Sequence, residues 1–261
     1  MAERAAGGGG VRVCINYSCG DASAVAAKIA LKKYAGQHEM IVVRIRVPDE
    51  DADSDRHAAD CAKWFGVPII ELQSDEYASA EDVWEKRRFM SGPHGAPCTD
   101  KMKRDVRRKF EREWKPDVHI MGYTLEEKHR SDRFRAENTD VGLVCPLQDE
   151  GLKKEDCHAL VRAAGIELHV RYKQGFPNAN CKGCVKNQSP KFWNLERRFN
   201  PDVFDRRAKL SRELGCRLVK LTTGTRERIF LDELPPDYRD PEPIPDIECS
   251  LVCQWSRDLV A

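Results

Sequence analysis

The sequence has no run of apolar residues close to the roughly 18 that a membrane-spanning helix requires. Its first ten residues, MAERAAGGGG, lack the apolar stretch of a secretory signal. The formal net charge of the 261-residue chain is only +1, so it also lacks the overall basic excess of a dedicated nucleic-acid-binding protein. We therefore expect a cytoplasmic protein with no membrane segment, and a flexible tail over residues 1–10.

Apolar residues are numerous enough for a substantial core, since the chain is 41% hydrophobic and 33% charged. Short β-branched runs alternate with helical patterns from residue 11 to about residue 165. This alternation predicts an α/β, Rossmann-like fold with a mostly parallel sheet and helices on both faces. The expected strands lie near residues 11–17, 41–47, 68–72, 118–122 and 143–147.

The alternation ends near residue 170. We therefore expect residues 11–170 to form the α/β domain and residues 171–261 to form a cysteine-containing appendage of helices and loops. The appendage includes a long charged helix from about Pro201 to Leu214. Ligands of parallel sheets bind at the carboxyl ends of the strands, so the residues that follow strands are the first functional candidates.

The first strand leads directly into Ser18-Cys19-Gly20-Asp21-Ala22-Ser23 and then into a helix. Such an arrangement directs backbone N–H groups and the positive end of the helix toward an anion, and phosphate is the natural ligand. Small residues allow the backbone to approach the ligand closely, and the Ser18 and Ser23 hydroxyls can add hydrogen bonds. The alternative interpretation is a turn that caps the helix through Asp or Ser.

The chain has eleven cysteines, which we expect to be reduced in a protein without a secretory signal. Four lie in apolar or helical patterns that predict packing in the core: Cys14, Cys61, Cys145 and Cys157. Five others lie in polar or turn contexts and are candidates for metal ligands or nucleophiles: Cys98, Cys181, Cys184, Cys249 and Cys253.

A basic stretch covers residues 101–110, with Met102, Val106 and Phe110 at helical spacing. This spacing predicts a helix with one packed face and one charged face. The charged face is either simply solvated or a docking surface for tRNA, DNA or nucleotide phosphates.

The SCGDAS loop resembles the SGGxDS loop of the ATP-pyrophosphatase (PP-loop) and phosphoadenosine-phosphosulfate (PAPS) reductase superfamily, whose domains have the HUP-type Rossmann-like fold. Cys19 replaces a glycine of that motif, and Ala22 stands where the family has aspartate, with Asp21 one position earlier. The residues from Gly122 to Phe134, and the later CPLQDEGLKKEDC and NCKGCVKNQSPKFWN, resemble further blocks of the family in the same order.

The resemblance extends over about residues 11 to 255 and implies an adenine nucleotide as substrate, bound by the domain 11–170. In the Gly122–Phe134 block, it implies that an acidic residue and arginines meet the phosphates or the sulfate. Arg130 and Arg133 are the catalytic candidates for oxyanion binding. The expected nucleotide-binding residues are Ser18, Gly20, Asp21, Ser23 and Glu127.

Assimilatory reductases of this family hold a [4Fe-4S] cluster through a Cys-Cys pair and a later C-x-x-C pair. Here the resemblance implies Cys98, Cys181 and Cys184 as ligands, with Thr99 in place of the fourth. Either Cys253 or Cys249 completes the cluster, or the fourth iron stays open for a sulfur or substrate atom. Thr99 is expected to cap a helix that begins at residue 100. A structural zinc site of Cys98, Cys181, Cys184 and Cys253, or a loop without metal, are the alternatives.

The segment Glu248-Cys249-Ser250-Leu251 resembles the Glu-Cys-Gly-Leu-His tail whose cysteine attacks the phosphosulfate. The resemblance thus implies a reductase in which Cys249 takes up the sulfonate, and a thioredoxin-like thiol or Cys253 releases sulfite. One alternative is an ATP-dependent, iron–sulfur-dependent sulfurtransferase that modifies tRNA or DNA. Another is a zinc-stabilised nucleotide-binding protein. The sequence leaves a homo-oligomer open.

Overall fold

The computed structural model describes residues 10–93, 95–224 and 227–245. The chain divides into two compact units. Unit 1 contains the described residues up to 46, together with Ala52–Gln73 and Val106–His169. Unit 2 contains Val47–Asp51, Ser74–Asp105 and the described residues from 170 onward.

The described strands, in chain order, are β1 (Arg12–Asn16), β2 (Glu39–Ile45), β3 (Ile69–Leu72), β4 (Val118–Ile120), β5 (Gly142–Val144), β6 (Val219–Lys220) and β7 (Arg228–Ile229). The first five form one sheet in the order β3-β2-β1-β4-β5, and every neighbouring pair is parallel. Within this sheet, Cys14 of β1 is level with Ile41 of β2 and His119 of β4. β6 and β7 form a separate antiparallel pair.

The described α-helices are α1 (Asp21–Tyr34), α2 (Asp53–Phe65), α3 (Ala80–Arg87), α4 (Pro97–Thr99), α5 (Asp105–Trp114), α6 (Lys128–Glu137), α7 (Pro146–Asp149), α8 (Lys154–Ala163), α9 (Val170–Lys173), α10 (Pro190–Phe199) and α11 (Pro201–Glu213). A π-helical turn, Asp100–Arg104, joins α4 to α5. Short 3₁₀ turns cover Leu125–Glu127 and Leu231–Glu233. Within the described residues, none of the helices has the length and apolarity needed to cross a membrane.

Unit 1 contains the whole five-stranded sheet with helices around it, and this confirms the predicted α/β fold with a parallel sheet. Ile15 of β1 and Val42 of β2 are fully buried, as expected of strands in a covered parallel sheet. Ala24, Ala27 and Ala30 form the buried face of α1, because their small side chains let a helix pack closely.

The four cysteines assigned to the core are each no more than 2% exposed. Burial raises the pKa of the Cys14 and Cys157 thiols to about 12 and that of Cys145 to about 11. Cys14, Cys145 and Cys157 are therefore neutral thiols, and all four cysteines pack in the core, as predicted. The nine cysteines in the described part of the chain are all thiols rather than disulfides.

Arg44 is a charged residue in the middle of the buried strand β2, and it is 1% exposed. Its guanidinium contacts Asp55 at 3.0 Å and Glu71 at 2.9 Å. Because a buried charge is costly unless it is paired, these two carboxylates explain how the strand accommodates it.

Unit 2 has its own core, in which several large side chains are no more than 1% exposed: Trp84, Met90, Met102, Trp193, Val219 and Leu231. Trp193 of α10 packs edge-on against Phe192 and Phe204. The amphipathic α10 and α11 contact each other through this apolar face.

Candidate functional site

The strand order of the unit 1 sheet reverses direction between β1 and β4. Connections that leave these two adjacent parallel strands run to opposite sides, and this opens a crevice at their carboxyl ends. The SCGDAS loop follows β1, and the segment that begins at Gly122 follows β4. Both sequence-predicted nucleotide-binding blocks therefore lie at the point where ligands of such sheets bind.

The SCGDAS loop has a backbone that normally requires glycine. Cys19 has φ 59°, in the left-handed region, and is one of three non-glycine residues with positive φ in the described chain. Its thiol is buried and contacts the Ser54 carbonyl at 3.6 Å. Cys19 thus adopts a backbone conformation that favours glycine.

The Ser23 hydroxyl joins the two ends of the SCGDAS loop. Its hydroxyl accepts the Ser18 N–H at 3.0 Å and the Ser18 hydroxyl at 3.2 Å, and it donates to the Gly20 carbonyl at 2.7 Å. Ser23 is buried, whereas Ser18 is exposed. Gly20 is the N-cap of α1, and no side-chain capping bond is formed there. In the structure, therefore, neither Asp21 nor Ser23 caps the helix through its side chain, and the alternative interpretation as a capping turn was wrong.

Gly122 brings the segment after β4 against the start of α1. A Cβ atom at this position would lie 2.6 Å from Ser23 Cα and 2.7 Å from Ser23 N. Backbone cannot yield as a side chain can, so only glycine permits this approach. The sequence placed Gly122 in the Gly122–Phe134 block but did not predict its close contact with the start of α1.

Asp21 is fully buried in a cluster with two histidines. Its two carboxylate oxygens contact His57 Nε2 at 3.0 Å and His158 Nδ1 at 2.6 Å. Burial acts to raise the Asp21 pKa, but the hydrogen bonds from His158 and His57 outweigh it and hold the pKa below its usual value. The carboxylate therefore stays charged between the two imidazoles.

His57 is the second titratable residue of this buried cluster. Burial acts to lower its pKa, but contacts with Asp21 and Cys61 raise it to about 9. The Tyr17 hydroxyl lies 2.7 Å from His57 Nδ1, on the side of the ring opposite Asp21. A protonated His57 can donate to both Tyr17 and Asp21, so the cluster connects α2 to the first residue of α1.

The segment after β4 is built around Glu127. Its carboxylate accepts the Thr124 N–H at 3.0 Å and forms an ion pair with Arg130. The Arg130 guanidinium also lies over the Tyr123 ring, 4.8 Å from its centre. Arg133, on α6, is exposed. The predicted acidic and basic residues thus share one short segment of unit 1, and Glu127 and Arg130 are paired with each other.

Three predicted metal ligands line one pocket within unit 2: Cys98, Cys181 and Cys184. Cys98 lies in the first turn of α4, where the helix dipole favours a thiolate. The expectation that Thr99 caps a helix beginning at residue 100 was wrong. The helical segment begins at Pro97, so Thr99 lies inside it with helical torsion angles and makes no capping bond.

The C-x-x-C loop is fixed at the peptide of Gly183. The Gly183 N–H donates to Glu196 at 2.9 Å, and its carbonyl accepts from Arg207 at 3.3 Å. Glu196 is paired with Arg171 at 2.6 Å, and Arg207 is paired with Asp49 at 2.7 Å. All four of these charged side chains are at least nine-tenths buried. Two buried ion pairs therefore hold the loop, one through the Gly183 N–H and the other through the Gly183 carbonyl.

The residues around the cysteine pocket include one carboxylate and four cations, Asp49, Lys103, Lys182, Lys186 and Arg207, but the surface exposed to the cavity is apolar. Trp84 also lines it, and its buried indole N–H has no hydrogen-bond partner in the described chain. Thiolates are the ligands of iron–sulfur clusters, and cationic surroundings offset the negative charge of such a centre. By its chemistry, this set of donors fits a soft metal centre.

The positions of these side chains do not favour the binding of a single metal ion. Among the described residues, no three His, Cys, Asp or Glu side chains stand close enough together to hold one metal. Tetrahedral zinc requires its thiolates to converge on one point, whereas a cluster binds each cysteine at a different iron. The cavity volume is about 20 Å³, so a cluster would displace parts of the present wall.

The basic stretch is more strongly paired than its sequence indicates. Met102 is fully buried as predicted, but Arg104 is also buried, at 3% exposed, beside Asp100. Lys101 is paired with Asp105 at 2.8 Å. Exposed basic residues in this stretch are Arg108 and Lys109. Fewer basic residues of this stretch are therefore exposed than the sequence predicted.

Cys249 and Cys253, the predicted nucleophile and the predicted fourth ligand, lie outside the described residues. Sequence reasoning did not identify the residues that support the two sites, namely His57, His158, Asp49, Trp84, Glu196 and Arg207. The glycine between the two cysteines of C-K-G-C was the available signal for a constrained loop. The partners of Asp21 and Gly183 are distant in sequence, so no local pattern indicated them.

No family model and no curated protein matches the chain. Among solved structures, it is similar to the phosphoadenylyl-sulfate (PAPS) reductase of Candida auris, with 10% identity and a TM-score of 0.47 over 65% of this chain and 80% of that one. It is also similar to the U34-tRNA thiolase NcsA of Methanococcus maripaludis, solved with its [4Fe-4S] cluster. There the identity is 16% and the TM-score 0.45, over 79% of this chain and 68% of that one. At these values, no residue role is carried over from either structure.

Proposed function

We propose that the chain is an enzyme that binds an adenylated sulfate at the SCGDAS loop and releases sulfite from it by reduction. The observation that carries the choice of substrate is the position of Asp21, the loop's carboxylate. In the resembling family, an aspartate of this loop assists metal-dependent cleavage of ATP to pyrophosphate. Here both Asp21 oxygens contact histidines in the interior. Binding a phosphosulfate requires no such cleavage, so the loop is better suited to that substrate.

In the proposed reaction, a cysteine thiolate attacks the sulfur of the phosphosulfate. A sulfur–sulfur bond forms, and the bond between this sulfur and the bridging phosphate oxygen breaks. The nucleotide leaves, and the enzyme carries a thiosulfonate. A dithiol reductant such as thioredoxin then attacks the cysteine sulfur, which releases sulfite and leaves a disulfide in the reductant after its second thiol has reacted. Cys249 is the proposed nucleophile.

The residues proposed to contact the substrate oxyanions are Arg130 and Arg133, because a guanidinium binds oxyanions with paired N–H donors. Ser18 and the first-turn N–H groups of α1 would hold the phosphate. Cys98, Cys181 and Cys184 would hold an iron–sulfur cluster, with Cys253 as the proposed fourth ligand. Such a cluster, when bound, would supply an electron-rich metal centre with redox activity.

The metal part of the proposal is tested by purifying the protein without oxygen and measuring iron, zinc and acid-labile sulfide. We expect about four of each of iron and sulfide per chain. Cys181→Ser should lose them, while Cys216→Ser should retain them, because Cys216 is a half-buried cysteine of unit 2 that does not line the pocket. Stoichiometric zinc instead would support the zinc-stabilised alternative.

The substrate part is tested by supplying labelled adenosine phosphosulfate or its 3′-phosphorylated form together with a dithiol, and measuring sulfite. Wild type should release sulfite, and Cys249→Ser should release none while still binding the nucleotide. Cys216→Ser is again the control. If neither phosphosulfate yields sulfite, the reductase proposal is wrong even where the cluster is present.

A second candidate is a sulfurtransferase that activates tRNA or DNA with ATP. Thr99, which is buried at 1% exposed, favours it, because a hydroxyl in place of the fourth cysteine leaves three described thiolates for four irons. Pyrophosphate release from ATP that depends on added tRNA or DNA would support this function. Replacing Arg108 and Lys109 by alanine should then weaken binding of the nucleic acid.

A further inference from the structure

Unit 2 contains a second pocket, which shares no lining residue with the pocket of the three cysteines. Its wall comes from two segments, residues 89–93 and 214–217, together with Arg228 of β7. We call it the Phe89 pocket. Its cavity volume is about 410 Å³, within the roughly 300–1,000 Å³ of pockets that hold small molecules. The space is therefore large enough for an organic ligand.

The two wall segments are held together by contacts of their own. Arg88 is paired with Glu213 at 2.7 Å, and the Cys216 thiol lies 3.8 Å from the Ser91 carbonyl. A Cβ atom added to Gly215 would have no atom within 4 Å, so there is room beside this residue of the wall. The pocket is thus formed before a ligand arrives, and this lowers the cost of binding one.

Two guanidinium groups give the Phe89 pocket a positive charge. Of the described residues that line it, Arg217 and Arg228 carry a charge and no other does. Arg228 donates to the Gln188 side chain at 2.9 Å, and the Arg217 guanidinium lies 5.4 Å from the centre of the Phe230 ring. Within the described chain, neither arginine has a carboxylate partner. Because these two charges are not compensated, the pocket favours an anion.

The Arg228 charge acts on the wall itself. Burial raises the pKa of the Cys216 thiol, while the Ser91 carbonyl and the Arg228 guanidinium act in the opposite direction. The Arg228 guanidinium therefore lies near the part of the wall that Cys216 and Ser91 form. The raised pKa keeps the thiol mainly protonated at neutral pH, so Cys216 serves as a wall residue and not as a nucleophile.

Apolar side chains form another part of the wall, so the cavity exposes both polar and apolar atoms. Phe89 and Leu214 line it, and both are partly exposed. The Phe89 ring packs on the backbone of Gly92, where an added Cβ would lie 2.8 Å from Phe89 Cζ. An aromatic side chain provides a surface on which a flat ring system stacks. An anion that carries a flat ring therefore matches both parts of the wall.

We propose that the Phe89 pocket binds a nucleotide, with its phosphate at Arg217 and Arg228 and its base against Phe89. Guanidinium groups bind phosphate through paired N–H donors. A free nucleotide and one unit of a single-stranded nucleic acid present the same phosphate and base, and the experiment separates these two sources. The pocket is additional to the SCGDAS loop, so this inference does not depend on the proposed reaction.

Photolabelling with 8-azido-AMP distinguishes the two nucleotide sites within one sample of the full chain. After tryptic digestion, mass spectrometry should find label at residues 89–93, and excess AMP should suppress it. Label in the tryptic peptide 13–28 would report binding at the SCGDAS loop instead. Absence of label at residues 89–93 in wild type would overturn the inference, whatever the SCGDAS loop binds.

The double variant Arg217→Gln/Arg228→Gln tests the two charges. Half-maximal labelling of residues 89–93 should require an at least about tenfold higher concentration, as expected for the loss of two charge-assisted hydrogen bonds. The control is Arg198→Gln/Arg239→Gln, which removes the same charge at two exposed arginines of unit 2 that do not line the pocket. This control should label as wild type does. Equal labelling in the two double variants would overturn the inference and leave the proposed reaction standing.

Phe89→Leu tests the contact with the base. AMP should suppress the label about fivefold less effectively than in wild type, because a stacking surface is lost. Inorganic phosphate should compete equally well in both proteins, since the arginines remain. If AMP also competes equally well in both, the base does not contact Phe89 and the assignment of a nucleotide is wrong.

A single-stranded hexanucleotide separates the two sources. Suppression of the label at a lower concentration than AMP requires would assign the pocket to a nucleic-acid strand, and the reverse order would assign it to a free nucleotide. Sulfite release is measured separately on the same preparations. Its absence would overturn the proposed reaction without affecting this pocket.

Discussion

The Gly183 peptide N–H donates a 2.9 Å hydrogen bond to the fully buried carboxylate of Glu196. Gly183 lies between Cys181 and Cys184 and has φ 60°, so its backbone takes the left-handed conformation. Glu196 in turn is paired with Arg171. The direction of both cysteines therefore depends on a peptide that is fixed by a charged interior.

Replacing Gly183 by alanine should disturb the cysteine pocket. The new Cβ would lie 2.8 Å from Val203 Cγ1 and 3.1 Å from Arg207 Cγ, in addition to the cost of a left-handed alanine. We expect the iron content of the anaerobically purified protein to fall by more than half. The measurement is iron per chain, together with the unfolding temperature.

Gly215→Ala is the control for this change, because Gly215 has φ 67° and no atom within 4 Å of its Cβ position. Alanine at position 215 has the same unfavourable left-handed backbone but no steric clash. This variant should therefore keep the iron content of the wild type. Adding Val203→Ala to Gly183→Ala should recover part of the lost iron by making room. Equal iron in the Gly183 and Gly215 variants would show that the shape of the loop does not control the site.

Replacing Gly122 by alanine should weaken nucleotide binding. The Cβ would lie 2.6 Å from Ser23 Cα, so the segment after β4 and the SCGDAS loop would have to separate. We expect at least a tenfold weaker affinity for an adenosine phosphosulfate, measured by calorimetry. Gly10→Ala is the control, since its nearest neighbour would lie 4.0 Å away. Unchanged affinity in Gly122→Ala would place the nucleotide elsewhere.

The cysteines should separate into two classes on alkylation at pH 8. Cys14, Cys145 and Cys157 are buried thiols with pKa values of about 11 to 12, so few of them are thiolates at this pH. Cys98 and Cys181 are half-buried and line one pocket, so reagents reach them more readily. In metal-free protein, mass spectrometry should show the pocket cysteines modified first. Loading with iron and sulfide should protect them, and protection of neither would contradict the assignment of the metal site.

The fold was predictable because strands and helices have local patterns. The strand predicted near residues 11–17 agrees with β1 to within one residue at each end, and the helix predicted after the SCGDAS loop is α1. The supporting contacts were not predictable, since each depends on partners distant in sequence. Arg44 of β2 is one example, since its counter-charges, Asp55 and Glu71, come from α2 and β3.

The cysteine pocket and the SCGDAS loop were also predictable only in part. The family resemblance implied that Cys98 would lie near Cys181 and Cys184, and these three cysteines line one pocket in the structure. The expected cap at Thr99 failed because the helix begins at Pro97, three residues earlier than expected, and proline favours the first position of a helix. Asp21 looked like a loop residue available to a ligand, but two histidines from other helices occupy its oxygens.

The buried cluster of Asp21 with His57 should make the stability of the protein depend on pH in two ranges. The His57 pKa is raised from 6.5 to about 9 in the fold. Its contribution to stability is thus complete below pH 6.5 and is lost as pH rises toward 9. The Asp21 pKa is lowered from 3.8, so its contribution is present above that value and is lost as pH falls below it.

We therefore expect the unfolding temperature to be highest between about pH 4 and pH 6.5 and to fall from there to pH 9. The pKa change of His57 corresponds to at most about 3 kcal/mol over this alkaline range. His57→Gln should lower stability at pH 6 and flatten the alkaline decline, because no proton is then lost from this site. His38→Gln, which changes a histidine outside the cluster, should keep the wild-type slope. A decline of the same steepness in His57→Gln would mean that a group other than His57 causes it.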